Sequence, residues 1–280
     1  MTDDLPARGG RVRRRPGPRR ASGGFSPRRA LAALAMLATA GLLWGAVASP
    51  VFAVKAVEVE GAILTGDDAV RAALALPTPA PNAFTLSTDV LRERLLALPA
   101  VADAEVSVGL PGILRVRIIE REPVLAWRLS GALLLADRDG RIVADAAADT
   151  AGPAAAAAAG LPVVADRRPS GEAPAVGDHL DPLDLDVATR LLSLVPADVG
   201  ASATALLVGV DERDGWTLIP TTKDPWTAVF GFYGPEIRGP AMIPEQVRLL
   251  RSLLAGREED LLRVVLAGPR EGTYTLKPAK

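Results

Sequence analysis

The chain has 280 residues, 49% of them apolar, and a formal net charge of −1. With no cysteine and a single histidine, His179, it excludes a disulfide framework, a thiol nucleophile, a cysteine-ligated metal and a histidine cluster. Nine arginines against Asp3 and Asp4 give residues 1–29 a charge of +7, leaving −8 for the rest, which argues against nucleic acid or anionic lipid head groups as the main partner there.

Residues 1–29 are rich in Arg, Pro and Gly and lack apolar periodicity, the composition of a disordered tail. From Ala30 to Ala48 the run ALAALAMLATAGLLWGAVA carries no charge. As a helix it would be about 28 Å long, close to the hydrocarbon thickness of a bilayer. A transmembrane helix over residues 30–49 is therefore expected, with Trp44 as an interfacial anchor. The basic tail before it predicts a cytoplasmic N-terminus and an exported remainder. Ala46-Val47-Ala48 before Ser49 also has the small-x-small form of a cleavage site, so a removed signal peptide is the competing reading. The run exceeds the roughly 7–15 apolar residues of a signal peptide, which favours a retained anchor.

After Pro50, residues 54–61 alternate apolar and polar and end at Gly61, the pattern of a short strand. Thr65 suits the N-cap of a helix whose apolar stripe is Ala69, Ala72, Ala73 and Leu76, with Asp67 and Asp68 in its first turn. Pro77, Pro79 and Pro81 stop it. A second helix from Ser87 or Thr88 presents Val90, Leu91, Leu95 and Leu98 before Pro99. Residues 104–110 and 114–118 alternate as two strands around Leu110-Pro111-Gly112-Ile113. The order is β-α-α-β-β, a two-layer unit with its helices on one sheet face.

A second region begins near Pro123. Strands are expected at residues 124–128 and 133–136, the latter joined by the Asp139-Gly140 turn to a strand at 141–144. Residues 145–160 read as a mobile, alanine-rich loop or ragged helix. A helix at 183–195 carries Val187, Leu191 and Leu194 on one stripe. Strands follow at 206–210, 216–219 and 228–232, then a helix at 244–255 with Val247, Leu250 and Leu254 inward. Residues 263–266 and 273–276 close the chain as a strand pair around Gly268-Pro269. The fold class is α+β.

Several of these passages resemble the FtsQ/DivIB family of bacterial cell-division proteins. Val57-Glu58-Val59-Glu60-Gly61 is similar to that family's opening strand. Leu98-Pro99-Ala100-Val101 followed by Ala104-Glu105-Val106 is similar to its "LPxV-x-x-A-x-V" passage. Leu110-Pro111 with Leu114-Arg115-Val116 resembles its "P-x-x-L-x-I" turn and strand. Glu120-Arg121-Glu122-Pro123-Val124-Leu125-Ala126-Trp127 resembles its "E-R-x-P-V-A-x-W" junction, and Asp137–Ile142 its "D-x-x-G-x-V/F" hairpin. The likeness is closest up to about Val164. Farther on, Val264-Val265-Leu266-Ala267 stands where the family has "V-D-L-R", and Met242-Ile243-Pro244 replaces a lysine that opens its last helix.

The resemblance implies a POTRA domain over residues 52–121 and a β domain over 122–280, on a single-span protein of the cell membrane at the division septum. It implies no enzyme, cofactor or small-molecule substrate. The implied partners are FtsB/DivIC-like and FtsL-like division proteins and, through them, the septal peptidoglycan synthases. A final strand with one unpaired edge is a physical docking site for an incoming strand. The candidate contact residues there are Arg263, Val264, Leu266, Tyr274 and Leu276.

Sharper chemistry finds little support. His179 with Asp178 or Asp181 would need a serine elbow, and no Gly-x-Ser-x-Gly accompanies it, so a solvated loop histidine is expected rather than an exported hydrolase. Asp137-x-Asp139-Gly140 opens like a calcium loop but lacks the closing glutamate, so a hairpin turn is expected. Arg115, Arg117, Arg121 and Arg128 read as the solvent face of a half-buried sheet more than as a basic stripe for a partner. Trp127, Trp216 and Trp226 read as core or satellite core rather than ligand platforms, and Phe230, Phe232 and Tyr233 as an aromatic cluster packed in the core rather than an exposed hot spot. A POTRA-bearing secretion or outer-membrane assembly component is the alternative class. It would carry tandem β-α-α-β-β copies or barrel strands, and neither is found in the sequence.

Overall fold

The computed structural model of the chain describes residues 26–169 and 174–278. The expected disordered tail lies, up to residue 25, outside the described residues. The first helix, α1 (Pro27–Ala48), starts ahead of the charge-free run. The Ser26 hydroxyl accepts the Arg29 N–H at 3.3 Å, and Pro27 supplies a preset φ in the first turn. Among the described residues α1 is the one helix long and apolar enough to cross a membrane. Residues from Pro50 onward form a separate compact unit.

That unit begins with β1 (Ala56–Glu60), α2 (Asp67–Leu74), α3 (Thr88–Leu96), β2 (Val101–Gly109) and β3 (Ile113–Glu120). The sheet order is β1-β3-β2, with β1 parallel and β2 antiparallel to the central strand. Leu114, Val116 and Ile118 of β3 meet Val70 and Leu74 of α2 and Leu91 and Leu95 of α3 in one core. This is the two-layer β-α-α-β-β arrangement that the residue pattern predicts.

Three local expectations fail here. Gly66, not Thr65, occupies the N-cap of α2, and the Thr65 and Leu64 N–H groups donate to the Glu120 carboxylate at 2.7 and 2.8 Å. The buried stripe of α2 is Val70 and Leu74, while Ala69 and Ala72 are exposed. The helix ends at Leu74, where Ala75 turns left-handed, so Leu76 packs on the same core from beyond the helix, and Ala73 from within it. Two larger side chains one turn apart bury more apolar area than the alanines, which decides which face turns inward. Likewise Leu91 and Leu95 are buried on α3 and Val90 is exposed.

The remaining elements are β4 (Pro123–Leu129), β5 (Ala132–Asp137), β6 (Ile142–Asp145), α4 (Pro153–Ala158), β7 (Val163–Asp166), α5 (Pro182–Leu192), α6 (Pro196–Val199), β8 (Leu206–Asp211), β9 (Gly215–Pro220), β10 (Thr227–Gly231), α7 (Ile243–Leu254), β11 (Leu261–Leu266) and β12 (Gly272–Leu276). They form one nine-stranded sheet in the order β12-β11-β10-β9-β8-β7-β4-β5-β6. Neighbours joined by tight turns are antiparallel. The three parallel contacts, β4–β7, β7–β8 and β10–β11, each follow a helical crossover, as a parallel return requires.

Helices α5 and α7 cover one face, where Val187 and Leu191 or Val247, Leu250 and Leu254 meet Trp127, Trp216, Phe230, Val264 and Leu266. Trp127 and Trp216 pack edge to face at 5.9 Å. On the other face the alanine-rich segment is not loose. Its α4 residues Ala154, Ala157 and Ala158 pack on Ala126, Leu135 and Val143. Strand β7, absent from the sequence reading, is the link between the two halves of the sheet. The expected aromatic cluster divides: Phe230 and Tyr233 are buried, and Phe232 is exposed.

Candidate functional site

The two edges of the nine-stranded sheet carry its unpaired backbone groups, and they differ. At the β6 edge the segment after the Asp139-Gly140 hairpin returns alongside. The Ile142 N–H donates to the Asp178 carbonyl and the Gly177 N–H to the Ile142 carbonyl, both at 2.9 Å. Arg141 and His179 form a bridge, and the Leu180 N–H reaches the Gly140 carbonyl. The chain's own strap closes this edge at its hairpin end, from Gly140 to Ile142.

The opposite edge is β12, with sequence Gly-Thr-Tyr-Thr-Leu. It pairs antiparallel with β11 in the register Arg263↔Thr275, Val264↔Tyr274, Val265↔Thr273 and Leu266↔Gly272. No strand among the described residues pairs with its outer side. All five residues are exposed, and none is charged or proline, the two devices that usually blunt an edge. The strand is nevertheless held in place. The Lys277 N–H donates to the Asp260 carbonyl at 2.8 Å, and Lys277 Nζ donates to the Asp224 and Glu259 carbonyls. At the other end Gly268 N–H donates to Glu271 O at 3.0 Å. A Cβ on Gly272 would lie 3.2 Å from the Val265 carbonyl and 3.3 Å from Leu249 Cδ2, so the hairpin sits close over α7.

The five candidate residues fall into two groups. Tyr274 and Leu276 lie on the edge strand, 46% and 51% exposed, with the Arg257 guanidinium 5.8 Å from the Tyr274 ring centroid. Val264 and Leu266 are fully buried. Strand β11 is interior, flanked by β10 and β12, so these side chains belong to the core and not to an edge. Arg263 also sits on β11 and faces Asp214, to which Nη1 and Nη2 donate at 2.8 and 2.7 Å. Those bonds hold the Asp214 carboxyl below the usual carboxylate range against an opposing effect of burial, and raise Arg263 in turn.

Residues that pattern reading passed over support this edge from behind. Gln246 on α7 is fully buried; its Nε2 donates to the Phe230 and Leu266 carbonyls at 3.1 and 3.0 Å, and its Oε1 accepts the Tyr233 hydroxyl at 2.7 Å. Burial pushes the Tyr233 hydroxyl far up from its ordinary pKa. Arg238 Nη1 donates to the Leu266 and Ala267 carbonyls, where β11 turns toward β12. A glutamine inside an otherwise apolar helical stripe is the sequence signal that could have found this support.

The other candidate chemistries are placed as follows. His179 is exposed, in the closing strap, beside a cavity of about 410 Å³ lined by Trp127, Asp166, Arg168 and Asp184. Asp178 accepts the Ala175 N–H, and Asp181 caps α5 by accepting from Leu183 and Asp184. The carboxylates offered for a triad are thus engaged with backbone. Asp137 accepts the Asp139 and Arg141 N–H groups and Arg121 Nη1, each at 2.9 Å, making a hairpin turn. The arginines form no common stripe: Arg115 and Arg117 face Glu58 and Glu60 on the exposed side of the first sheet, and Arg121 joins Asp137.

Residues 52–121 match the FtsQ-type POTRA domain family. The chain carries an FtsQ-type POTRA domain. It is 41% identical over 114 residues to the cell division protein FtsQ of Cereibacter sphaeroides, covering 39% of this chain and 37% of that one. It is 42% identical over 95 residues to FtsQ of a Jannaschia species, covering 34% and 30%. It is 30% identical over 149 residues to FtsQ of Dinoroseobacter shibae, covering 52% and 46%. The chain thus spans less than half the length of the curated relatives it matches. The resemblance to the FtsQ family read from the sequence motifs is borne out.

Proposed function

We propose that the chain is a non-enzymatic, single-span scaffold of the bacterial cell-division machinery. In this reading α1 anchors it in the cell membrane with a cytoplasmic N-terminus, and the domains from Pro50 onward act outside the cytoplasm at the septum. The POTRA domain and the relatives' names support a cell-division role. The observation that carries the scaffold reading is the open, uncharged, proline-free edge of β12, at the end of the sheet opposite the one where the chain bonds Ile142 for itself.

An extended partner segment laid along β12 would satisfy its outward N–H and C=O groups and continue the sheet. Tyr274 and Leu276 offer apolar contact to its side chains. The partners proposed are an FtsB/DivIC-like protein and, with it, an FtsL-like protein, linking the chain indirectly to the septal peptidoglycan synthases. Arg263, Val264 and Leu266 contribute by holding the strand that carries the edge.

The test is affinity between the full chain in lipid nanodiscs and an FtsB/DivIC-like partner. Neighbouring strand residues point their N–H groups to opposite sides. Of Tyr274→Pro and Thr275→Pro, one therefore removes an outward donor. That variant is expected to bind far more weakly than its alanine counterpart with the fold intact. If both prolines bind like the alanines, the edge is not the site.

A further inference from the structure

We propose that one pole of the POTRA domain is a lipid-contact surface that rests on the bilayer into which α1 inserts. The pole is built from three segments brought together by backbone bonds. The Ala83 N–H donates to the Phe52 carbonyl at 2.8 Å and the Val54 N–H to the Pro81 carbonyl at 3.0 Å. The Lys55 N–H donates to the Gly112 carbonyl at 2.8 Å, which seats the β2–β3 turn beside the start of β1. A Cβ on Gly112 would fall 2.2 Å from the Ala53 carbonyl, so only glycine lets the turn approach this closely.

This packing gathers exposed apolar side chains at one end. Val51, Phe84 and Leu110 are 54%, 52% and 59% exposed, and Phe84 packs edge to face on Phe52 at 5.1 Å. Lys55 is the single charged residue in segments 48–57, 75–86 and 109–114, in a chain whose charged fraction is 23%. The contrast lies on the same domain: the open face of its sheet is a ladder of Glu58, Arg115, Glu60 and Arg117. A water-facing pole would carry such charges. This one carries aromatic and aliphatic tips with a lone cation, the composition of an interfacial surface.

The sequence identifies what covers it. Only Ser49 and Pro50 separate Val51 from Ala48, the last residue of α1. Peptide geometry limits those three steps to about 10 Å. Once α1 spans a bilayer, Val51 cannot leave its head-group layer by more than that distance. Tethering supplies a high effective concentration of membrane, so a small patch suffices where a free domain would need a larger one. The net negative charge of the exported part, which disfavours anionic head groups for the domains at large, is locally reversed at this pole by Lys55.

The inference rests on the membrane-anchor reading of α1, and the experiment separates the two. The chain lacks cysteine, so single labels are clean. A polarity-sensitive fluorophore is placed at Leu110→Cys, at Leu42→Cys within α1, or at Asp139→Cys on a β-domain turn. Each full-length variant is reconstituted in nanodiscs of phosphatidylglycerol and phosphatidylcholine, with or without nitroxide-labelled lipid. The label at position 110 is expected to be quenched severalfold more than that at 139, and less than that at 42. Quenching at 42 with position 110 equal to 139 overturns the lipid contact and leaves the anchor standing. No quenching at 42 overturns both. A blue-shifted but unquenched label at 110 assigns the pole to a protein contact and overturns the proposal. Phe84→Ser with Val51→Ser, which leaves buried residues intact, should lower the quenching at 110 without changing that at 42.

Discussion

At one end of the nine-stranded sheet, Ile142 at the start of β6 gives its outer backbone groups to residues 177 and 178; at the other, β12 gives its outer groups to nothing among the described residues. The closed edge uses a buried residue, Ile142, whose N–H and carbonyl are both bonded to the strap. The open edge is exposed throughout, yet Lys277, Gln246 and Arg238 fix the strands that form it. An edge left bare by neglect would fray. This edge is held rigid and left unpaired, the condition under which an added strand pays little ordering entropy.

The contrast can be broken most severely at the closed edge. Ile142 is fully buried, so Ile142→Ala is expected to lower unfolding free energy by about 2–5 kcal/mol. Chemical denaturation would measure it, and partner affinity per folded molecule should stay unchanged. Next in size is the outward-facing proline on β12. It removes one backbone bond to the incoming strand, at about 1 kcal/mol, and obstructs the neighbouring pair, for a loss of roughly tenfold or more in affinity. Here the denaturation midpoint should hold. If the closed-edge variant weakened binding and the β12 proline did not, the roles assigned to the edges would be reversed.

Much of this contrast was legible in the sequence, and the parts that were not share a cause. The final strand pair and its turn follow from alternation and from Gly268-Pro269, whereas Tyr274 and Leu276 are exposed because every residue of β12 is, against the inward apolar face that alternation would give. The assignment of Val264 and Leu266 to an edge fails because strand order is non-local. Only the crossover through α7, which lays β11 parallel to β10, makes β11 an interior strand. Strand β7 escaped for a related reason. Pro162-Val163-Val164-Ala165-Asp166 is short and lacks a solvent-facing alternation, because parallel partners flank it on both sides. The strap was invisible as well: residues 177–180 are a polar loop by composition, and their pairing with β6 depends on where the hairpin at Gly140 aims them.

A smaller effect tests the strap itself. Gly177 adopts φ +104°, where a side chain is strained, and a Cβ there would lie 3.4 Å from Pro99 Cγ. Gly177→Val is expected to loosen the strap by about 1–2 kcal/mol without unfolding the sheet. Hydrogen exchange should quicken at the Ile142 amide and remain unchanged on β12. Equal acceleration at both edges would mean that the sheet responds as a whole and that the two edges are not independently maintained.

The smallest effect concerns the strand behind the open edge. Arg263 on β11 holds Asp214 in the turn before β9, and the bond lowers the Asp214 pKa in the folded state. The sign follows from linkage. A carboxyl with a depressed folded pKa contributes stability above its unfolded value of about 4, and loses that contribution as pH falls through the lower folded value. Asp214→Asn should therefore cost stability at neutral pH and flatten the decline between about pH 4 and the acid limit, because the variant has nothing to protonate there. The measurement is the denaturation midpoint against pH for both proteins. Both side chains retain solvent contact, so screening keeps the difference small. Parallel curves would show that the pair positions β11 without contributing to its pH response. Convergence on acidification would make Asp214 the electrostatic link between the interior of the sheet and the strand that carries its open edge.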